Sequence, residues 1–173
     1  MTSPLAIALA VMGLASLSTH DLCGASDVAD HQTLSRCVTA LAELEGFSAT
    51  VYTDSRGFPT IGYGHRLSAD YVSHAPVDRE EAYVMLWADV EKARDGAASV
   101  YPDFETLPEK AREALIHMAF QLGARGLAKF VALKKAIQNR QWLKAGVECI
   151  HSRWSQQTPK RARFCAALFG AIK

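Results

Sequence analysis

Residues 44–65 read LEGFSATVYTDSRGFPTIGYGH, a segment in which a helical pattern gives way to β-forming residues around a turn. The preceding apolar residues have the i, i+3, i+4, i+7 spacing of an amphipathic helix: Leu34, Cys37, Val38, Leu41 and Leu44. Gly46 is expected to end this helix, and residues 54–57 have turn composition. The sequence therefore predicts Glu45 at a helix end, with Asp54 and Thr60 on an adjacent hairpin.

This placement suits glycoside hydrolysis, which needs a protonated carboxyl group for the leaving oxygen and an ionised carboxylate to assist a water molecule. Glu45 falls in the last turn of its helix, where the helix dipole and apolar neighbours favour the protonated form. Asp54, in a polar turn, is expected to stay ionised, and the Thr60 hydroxyl could hold the attacking water. Taken singly, each acid would be interpreted as a solvated surface residue.

These residues resemble the T-even phage lysozyme family of endolysins, glycoside hydrolases of the lysozyme-like superfamily. The catalytic set of that family is Glu, eight residues, Asp, five residues, Thr, which is the spacing of Glu45, Asp54 and Thr60. Two later segments, residues 114–123 and 152–162, look like the family's C-terminal lobe in the expected order. The resemblance covers about residues 34–169.

The resemblance implies an α+β, mainly α, lysozyme-like fold: a small lobe with a β-hairpin, a long interlobe helix and a helical C-terminal lobe. It implies a lysozyme (N-acetylmuramidase) that cleaves the β-1,4 bond between N-acetylmuramic acid and N-acetylglucosamine in peptidoglycan. Glu45 would be the general acid, with Asp54 and Thr60 positioning the water and inversion at the reacting carbon. No cofactor is implied, and we expect a monomer.

Four further residues are candidates for substrate binding on the same resemblance: Arg66, Phe120, Gln121 and Arg161. Phe120 could stack on a sugar face, although it equally fits the apolar pattern of its helix. Arg161 would reach towards Glu45 and favour its ionised form, opposing the effect of the helix dipole.

His65 has two interpretations, a catalytic base or a structural partner of a carboxylate on the interlobe helix. The resemblance favours the structural pair with Asp89. Gly62 and Gly64 are expected to support the site by allowing close backbone approach in the returning strand. The six histidines show no metal-ligand spacing, so no metal site is predicted.

The four cysteines permit disulfides in an exported protein. Cys149 and Cys165 fall on apolar faces of neighbouring predicted helices, which favours a Cys149–Cys165 disulfide. The other two cysteines would then form a Cys23–Cys37 disulfide. The alternative is that these residues are buried thiols that pack as small apolar side chains.

Residues 1–26 are predicted to be a leader with a linker, and residues 27–173 the catalytic domain. Residues 2–19 carry no charge but are too few and too rich in small residues for a typical transmembrane helix. A cleaved leader is the first interpretation, followed by a releasable signal-arrest segment like that of some phage endolysins and by a buried helix. The enzyme would then be secreted to the periplasm or to the extracellular cell wall, with a membrane tether only while the leader remains.

Charge is distributed unevenly along a chain whose net charge is +1. Residues 125–173 hold 11 Lys and Arg but one acid, Glu148, which indicates an anionic partner. Bacterial cell wall fits this description, and no nucleic-acid motif is visible. A merely solvated basic face is the alternative.

Several helices are predicted after the hairpin. A capping box at Asp78 and Glu81 should start the interlobe helix, with a loop before it over residues 66–76 and a break over residues 99–108. Further helices are expected over residues 109–122, 127–139, 141–151 and 159–171. The last would be capped by Thr158 with Pro159 at its first position, and Ser26 or Asp27 would cap the first helix.

Two other functions fit parts of this pattern. A lytic transglycosylase needs the glutamate but not the aspartate and threonine, and a non-catalytic wall-binding module needs none of the three. Retention of all three residues favours hydrolysis. A bacteriolytic, antimicrobial role in a phage, a prophage or a bacterium would be compatible with it.

Overall fold

The computed structural model describes residues 25–54, 57–68 and 76–173, with side chains from residue 28 onwards. The chain divides into two compact units, Met1–Gln32 and Thr33–Lys173. In the first unit the described part is the beginning of helix α1 (Ala25–Glu45). Residues 1–24, which hold most of the predicted leader and Cys23, lie outside the described residues.

Helix α1 ends at Glu45 because Gly46 has a φ of +73°, a left-handed conformation that glycine adopts readily. This stop and the buried stripe at Leu34, Cys37, Val38 and Leu41 were predicted and are confirmed. The expected cap at Ser26 or Asp27 is wrong, since both residues lie inside the helix, whereas a capping residue must precede it.

A three-stranded antiparallel sheet follows, with strands β1 (Ser48–Thr53), β2 (Pro59–Gly62) and β3 (His65–Arg66) in that spatial order. Thr60 is the central residue of one row across the sheet, because it pairs with Tyr52 on one side and with Arg66 on the other. The predicted hairpin is confirmed. Arg66, expected in a loop, belongs instead to β3.

Helix α2 (Arg79–Val100) has the predicted capping box: the Asp78 side chain accepts from the backbone of Glu81, whose side chain accepts from the backbone of Asp78. Its buried face consists of Ala82, Leu86, Val90, Ala93 and Ala97. The helix contacts β2 and β3 on one side and the next helix on the other. It therefore connects the sheet to the helical remainder of the chain.

The remaining elements are a 3₁₀ turn (Phe104–Thr106) and the helices α3 (Glu109–Leu127), α4 (Val131–Gln138), α5 (Trp142–Ile150), α6 (Arg153–Gln157) and α7 (Pro159–Gly170). The 3₁₀ turn and α6 were not predicted. Helix α3 continues past residue 122 but is interrupted at Gly123, where φ is +67° and ψ is 169°. Pro159 occupies the first turn of α7 as expected, but Thr158 does not cap it, because its hydroxyl donates to the Trp154 carbonyl.

The predicted Cys149–Cys165 disulfide is wrong, and both residues carry free thiols. Each sulfur faces α3: Cys149 Sγ lies 3.9 Å from Met118 Sδ, and Cys165 Sγ lies 3.7 Å from the Ala114 carbonyl oxygen. Burial raises the pKa of Cys149 to about 12 and raises that of Cys165 well above its ordinary value. Both side chains therefore act as small apolar groups. The Cys23–Cys37 bond stays a prediction, since Cys23 is not described.

The predicted α+β, mainly helical, lysozyme-like fold is confirmed. Its largest fully buried side chains include Leu41, Ile61 and Leu86, together with Tyr101, Phe104, Leu115, Ile116, Met118, Ile137 and Phe169. Across residues 25–54, 57–68 and 76–173, no helix is both long and apolar enough to cross a membrane.

Candidate active site

A cleft of about 760 Å³ runs between the sheet, α2 and the middle of α3. Most of the predicted site residues line it: Glu45, Asp54, Thr60, Gly64, His65, Arg66, Asp89, Phe120 and Gln121. Arg161 reaches the cleft through its contact with Glu45. Gly62 does not line the cleft and lies behind it, against α2.

Glu45 is held at the end of α1 by a cation from the far end of the chain. Its Oε1 accepts a hydrogen bond from the Arg161 guanidinium, and Arg161 is only 7% exposed. The Arg161 guanidinium also lies 5.8 Å from the Phe120 ring centroid. Gly64, with a φ of +86°, allows the backbone to pass beside the Glu45 carboxyl group. These contacts fix the direction in which the Glu45 carboxyl group points.

Asp54 is fixed by its own turn and by β3. Its Oδ1 accepts from the Phe58 backbone N–H at 2.9 Å, and its Oδ2 accepts from Arg66 at 3.0 Å. The Arg66 guanidinium lies 4.5 Å from the Phe58 ring centroid, so Phe58 supports both residues. An ionised carboxylate is the form that these donors stabilise.

Thr60 is a buried polar group of the site, with 2% of its surface exposed. Its hydroxyl donates to the Phe58 carbonyl at 3.0 Å, which uses its only hydrogen. The oxygen lone pairs can then accept a hydrogen bond from a water molecule in the cleft.

Tyr52 is a cleft residue that the sequence reasoning did not select. Burial, followed by the charges of Glu45 and Asp54, raises the pKa of its phenol. The phenol therefore stays protonated and can donate a hydrogen bond towards the carboxylates or a sugar. The sequence offered one reason to select Tyr52, its position two residues before Asp54, because alternate residues of a strand point to the same face. The structure adds that Tyr52 pairs with Thr60 across β1 and β2.

His65 and Asp89 connect β3 to α2. The Nδ1 of His65 lies 2.8 Å from Asp89 Oδ2, and this hydrogen bond raises the pKa of His65 above its ordinary value. A Cβ added at Gly62, whose φ is +65°, would lie 3.0 Å from the Ala82 Cβ. A hydrogen bond and a close backbone contact therefore both hold the sheet against α2.

On the opposite wall, α3 presents Phe120 and Gln121 to the cleft. The Gln121 side-chain oxygen accepts from the Trp154 indole N–H at 2.8 Å, which ties α3 to α6. Trp154 itself packs edge-on against Phe130, with the ring centroids 6.2 Å apart. Phe120 is half-buried, between the core and the cleft.

Lys92, also unselected at the sequence level, lines the cleft from α2. The described ranges contain no group of three or more His, Cys, Asp or Glu residues that could hold a metal ion. Carboxyl, hydroxyl and cationic side chains line the cleft. The carboxyl groups of Glu45 and Asp54, which have different partners, and the buried hydroxyl of Thr60 are the kinds of group that a glycoside hydrolase uses.

Comparison with known proteins agrees with this class. The family model described as phage lysozyme matches residues 42–166. The chain belongs to the phage lysozyme family, and it is a peptidoglycan-hydrolysing glycoside hydrolase of the lysozyme type.

Individual relatives share about a quarter to a third of their aligned residues with this chain. A probable T4-type lysozyme 2 of Dictyostelium discoideum is 26% identical over 161 residues, which are 75% of this chain and 91% of the relative. The endolysin of Salmonella phage P22 is 29% identical over 127 residues, covering 66% and 86% of the two chains. The pre-baseplate central spike protein of Enterobacteria phage T4 is 30% identical over 141 residues, which are 68% of this chain but 24% of that protein.

Proposed function

We propose that this lysozyme is an endolysin-type N-acetylmuramidase that cleaves the β-1,4 bond between N-acetylmuramic acid and N-acetylglucosamine. One observation carries the proposal: Glu45, Asp54 and Thr60 line a single cleft, and each is held by a different set of partners.

Glu45 acts as the general acid and gives its proton to the glycosidic oxygen as the bond to the anomeric carbon breaks. The buried Arg161 guanidinium keeps the carboxyl group pointed in one direction, which serves this role, whereas its positive charge favours the ionised carboxylate and opposes it. A proton donor that is already oriented needs no reorganisation when the oxygen begins to accept charge.

Asp54 and Thr60 hold the attacking water on the other side of the sugar. The water donates one hydrogen to the Asp54 carboxylate and the other to the Thr60 oxygen, whose own hydrogen is engaged by Phe58. As the water oxygen bonds to the anomeric carbon, its proton passes to Asp54. Attack from the face opposite the leaving group inverts the configuration at that carbon.

Substrate contacts are proposed for Arg66, Phe120, Gln121 and Arg161. Phe120 offers a partly exposed ring for a sugar face, and Gln121 is held rigidly by Trp154.

The exposed Lys and Arg side chains between residues 125 and 173 would attract the anionic wall. Export through the leader in residues 1–26 and a monomeric state are part of the same proposal, and N-terminal sequencing and light scattering measure them.

The test is digestion of purified peptidoglycan by the wild type and Glu45→Gln, with mass analysis of the fragments. Glu43→Gln is the matched control, since it makes the same change on an exposed residue of the same helix. We expect reducing-end muropeptides from the wild type and the control, and a loss of about 10²–10⁴-fold in rate for Glu45→Gln. Digestion in ¹⁸O-labelled water identifies the new anomeric oxygen, and NMR shows its configuration.

Two results would replace the proposal. Anhydro-sugar ends without incorporated ¹⁸O would make the protein a lytic transglycosylase. Sedimentation with cell walls without any cleavage by the wild type would make it a wall-binding module.

A further inference from the structure

Lys92 lies on the face of α2 that forms one wall of the cleft. It shares this face with Asp89, Ala93 and Gly96, which are spaced as helix neighbours and also line the cleft. One turn beyond Lys92, a Cβ added at Gly96 would lie 3.6 Å from the Ala124 Cβ, so α2 and α3 approach each other closely there. Lys92 itself is exposed to solvent, on the side of the cleft where α2 and α3 approach each other.

Lys92 is the cation left over when the charges around the cleft are paired. Three carboxylates of the cleft each contact a basic partner: Glu45 with Arg161, Asp54 with Arg66, and Asp89 with His65. Lys92 has no carboxylate within ion-pair distance among the described residues. The cleft thus carries an ammonium group that has no ion-pair partner among the described residues.

The field of Lys92 acts inside the cleft. The hydrogen bond between His65 and the Asp89 carboxylate raises the pKa of His65, whereas burial and then the ammonium of Lys92 oppose that rise. A charge that affects a neighbouring cleft residue will also affect a charged group of a ligand bound beside it.

The ligand group that suits this ammonium can be identified from the chemistry of the substrate. Sugar hydroxyls and N-acetyl groups are neutral and need hydrogen bonds, whereas the stem peptides on the muramic acid residues carry carboxylates. A lysine ammonium is a compact point charge that pairs with such a carboxylate without demanding one geometry. We propose that Lys92 binds a stem-peptide carboxylate and lets the enzyme distinguish peptides with free carboxylates from amidated ones. This inference rests on the proposed function, because it places the same substrate in the same cleft.

Two matched ligands test the inference: a soluble tetrasaccharide with intact stem peptides, and the same compound with its peptide carboxylates converted to amides. Their dissociation constants are measured by calorimetry on the Glu45→Gln background, where turnover is suppressed, and KM and kcat are measured on the wild-type background. In both backgrounds Lys92→Met removes the charge, Lys92→Arg keeps it, and Lys110→Met changes an exposed lysine outside the cleft.

We expect amidation to weaken binding by about two- to fivefold in proteins that retain Lys92, the range of a solvent-accessible ion pair. Lys92→Met should bind the free and the amidated ligand equally tightly. Lys92→Arg and Lys110→Met should both bind the ligand with free carboxylates more tightly, as the protein without these substitutions does. The effect should fall on KM and should shrink as salt is added.

The inference is overturned if Lys92→Met discriminates between the two ligands as strongly as the protein with Lys92 does. It is also overturned if the difference between the two ligands appears in kcat and not in KM, because loss of a contact made equally in the ground and transition states changes KM. Failure of the proposed function looks different: the wild type would cleave neither ligand, while the calorimetric preference and its dependence on Lys92 would remain.

Discussion

Replacing His117 should remove one source of acid sensitivity from this protein. His117 lies on α3 with 1% of its surface exposed, and its ring packs edge-on against Phe164 with the centroids 4.7 Å apart. Its Nδ1 is buried without a hydrogen-bond partner in the described part of the chain. Burial, with a smaller contribution from the Arg161 charge, lowers the pKa of His117 to about 3. The imidazole is therefore neutral in the folded state at all ordinary pH values.

The sign and size of the effect follow from proton linkage. In the unfolded chain His117 has a pKa of about 6.5, so below this value the unfolded state binds a proton that the folded state does not. The free energy of unfolding must then fall as the pH is lowered. Between pH 7 and pH 5 this one group contributes a loss of about 2 kcal/mol, and the folded pKa of about 3 lies far enough below this window not to alter the figure.

Urea unfolding of the wild type and His117→Phe at pH 7, 6 and 5 isolates this contribution. The phenylalanine keeps a ring against Phe164 and cannot titrate. Its absolute stability is not the readout, because only the change in unfolding free energy with pH is compared. We expect the wild type to lose about 2 kcal/mol more than the variant between pH 7 and pH 5. Equal losses would show that His117 accepts a proton without unfolding and would refute the reasoning.

Three further predictions concern His65, Gly62 and Cys165. The hydrogen bond to Asp89 raises the pKa of His65, so its stabilisation should be complete below about pH 6.5 and disappear as the pH rises through the folded value. His65→Asn should lower the free energy of unfolding by about 1 kcal/mol at pH 5.5 and by less at pH 9. The figure is kept small because the side chains of His65 and Asp89 are each roughly 30% exposed to solvent. A loss of stability in thermal unfolding that does not depend on pH would contradict this prediction. Gly62→Ala should destabilise the folded protein by about 1–3 kcal/mol in chemical unfolding, because the new Cβ would lie 3.0 Å from the Ala82 Cβ at a backbone φ of +65°. Gly57→Ala is the control: it has a positive φ without such a contact and should destabilise the protein less. Cys165 should react with iodoacetamide only after unfolding, because its thiol is fully buried and its pKa is raised; mass spectrometry of the native protein would detect any earlier modification.

The elements that the sequence predicted correctly are those controlled by nearby residues. Gly46 ends α1 through its own backbone conformation, and the capping box of α2 joins side chains only three residues apart. The hairpin follows from β-forming residues on either side of a turn. Short-range geometry of this kind can be inferred from the order of residue types alone.

The errors arose where a residue had several possible partners. Thr158 has the residue type of a helix cap, but its hydroxyl donates to the carbonyl of Trp154 in the preceding helix. Cys149 and Cys165 lie on neighbouring helices, as expected, yet both sulfur atoms face α3. Side-chain direction depends on how helices are rotated against one another, and an apolar pattern identifies the buried face without giving that rotation.

The sequence by itself indicated the kind of protein through its resemblance to the phage lysozyme family, which the order and spacing of Glu45, Asp54 and Thr60 carry within one short segment. Only the tertiary structure decided which charges meet. Arg161 is 116 residues from Glu45 and contacts it only because the fold brings the first turn of α7 within side-chain reach of the end of α1. Lys92 became a cleft residue through the face that α2 turns towards the sheet and α3. The physical reason is that pairing between distant charges depends on packing of apolar faces, which brings side chains together without regard to their separation in sequence.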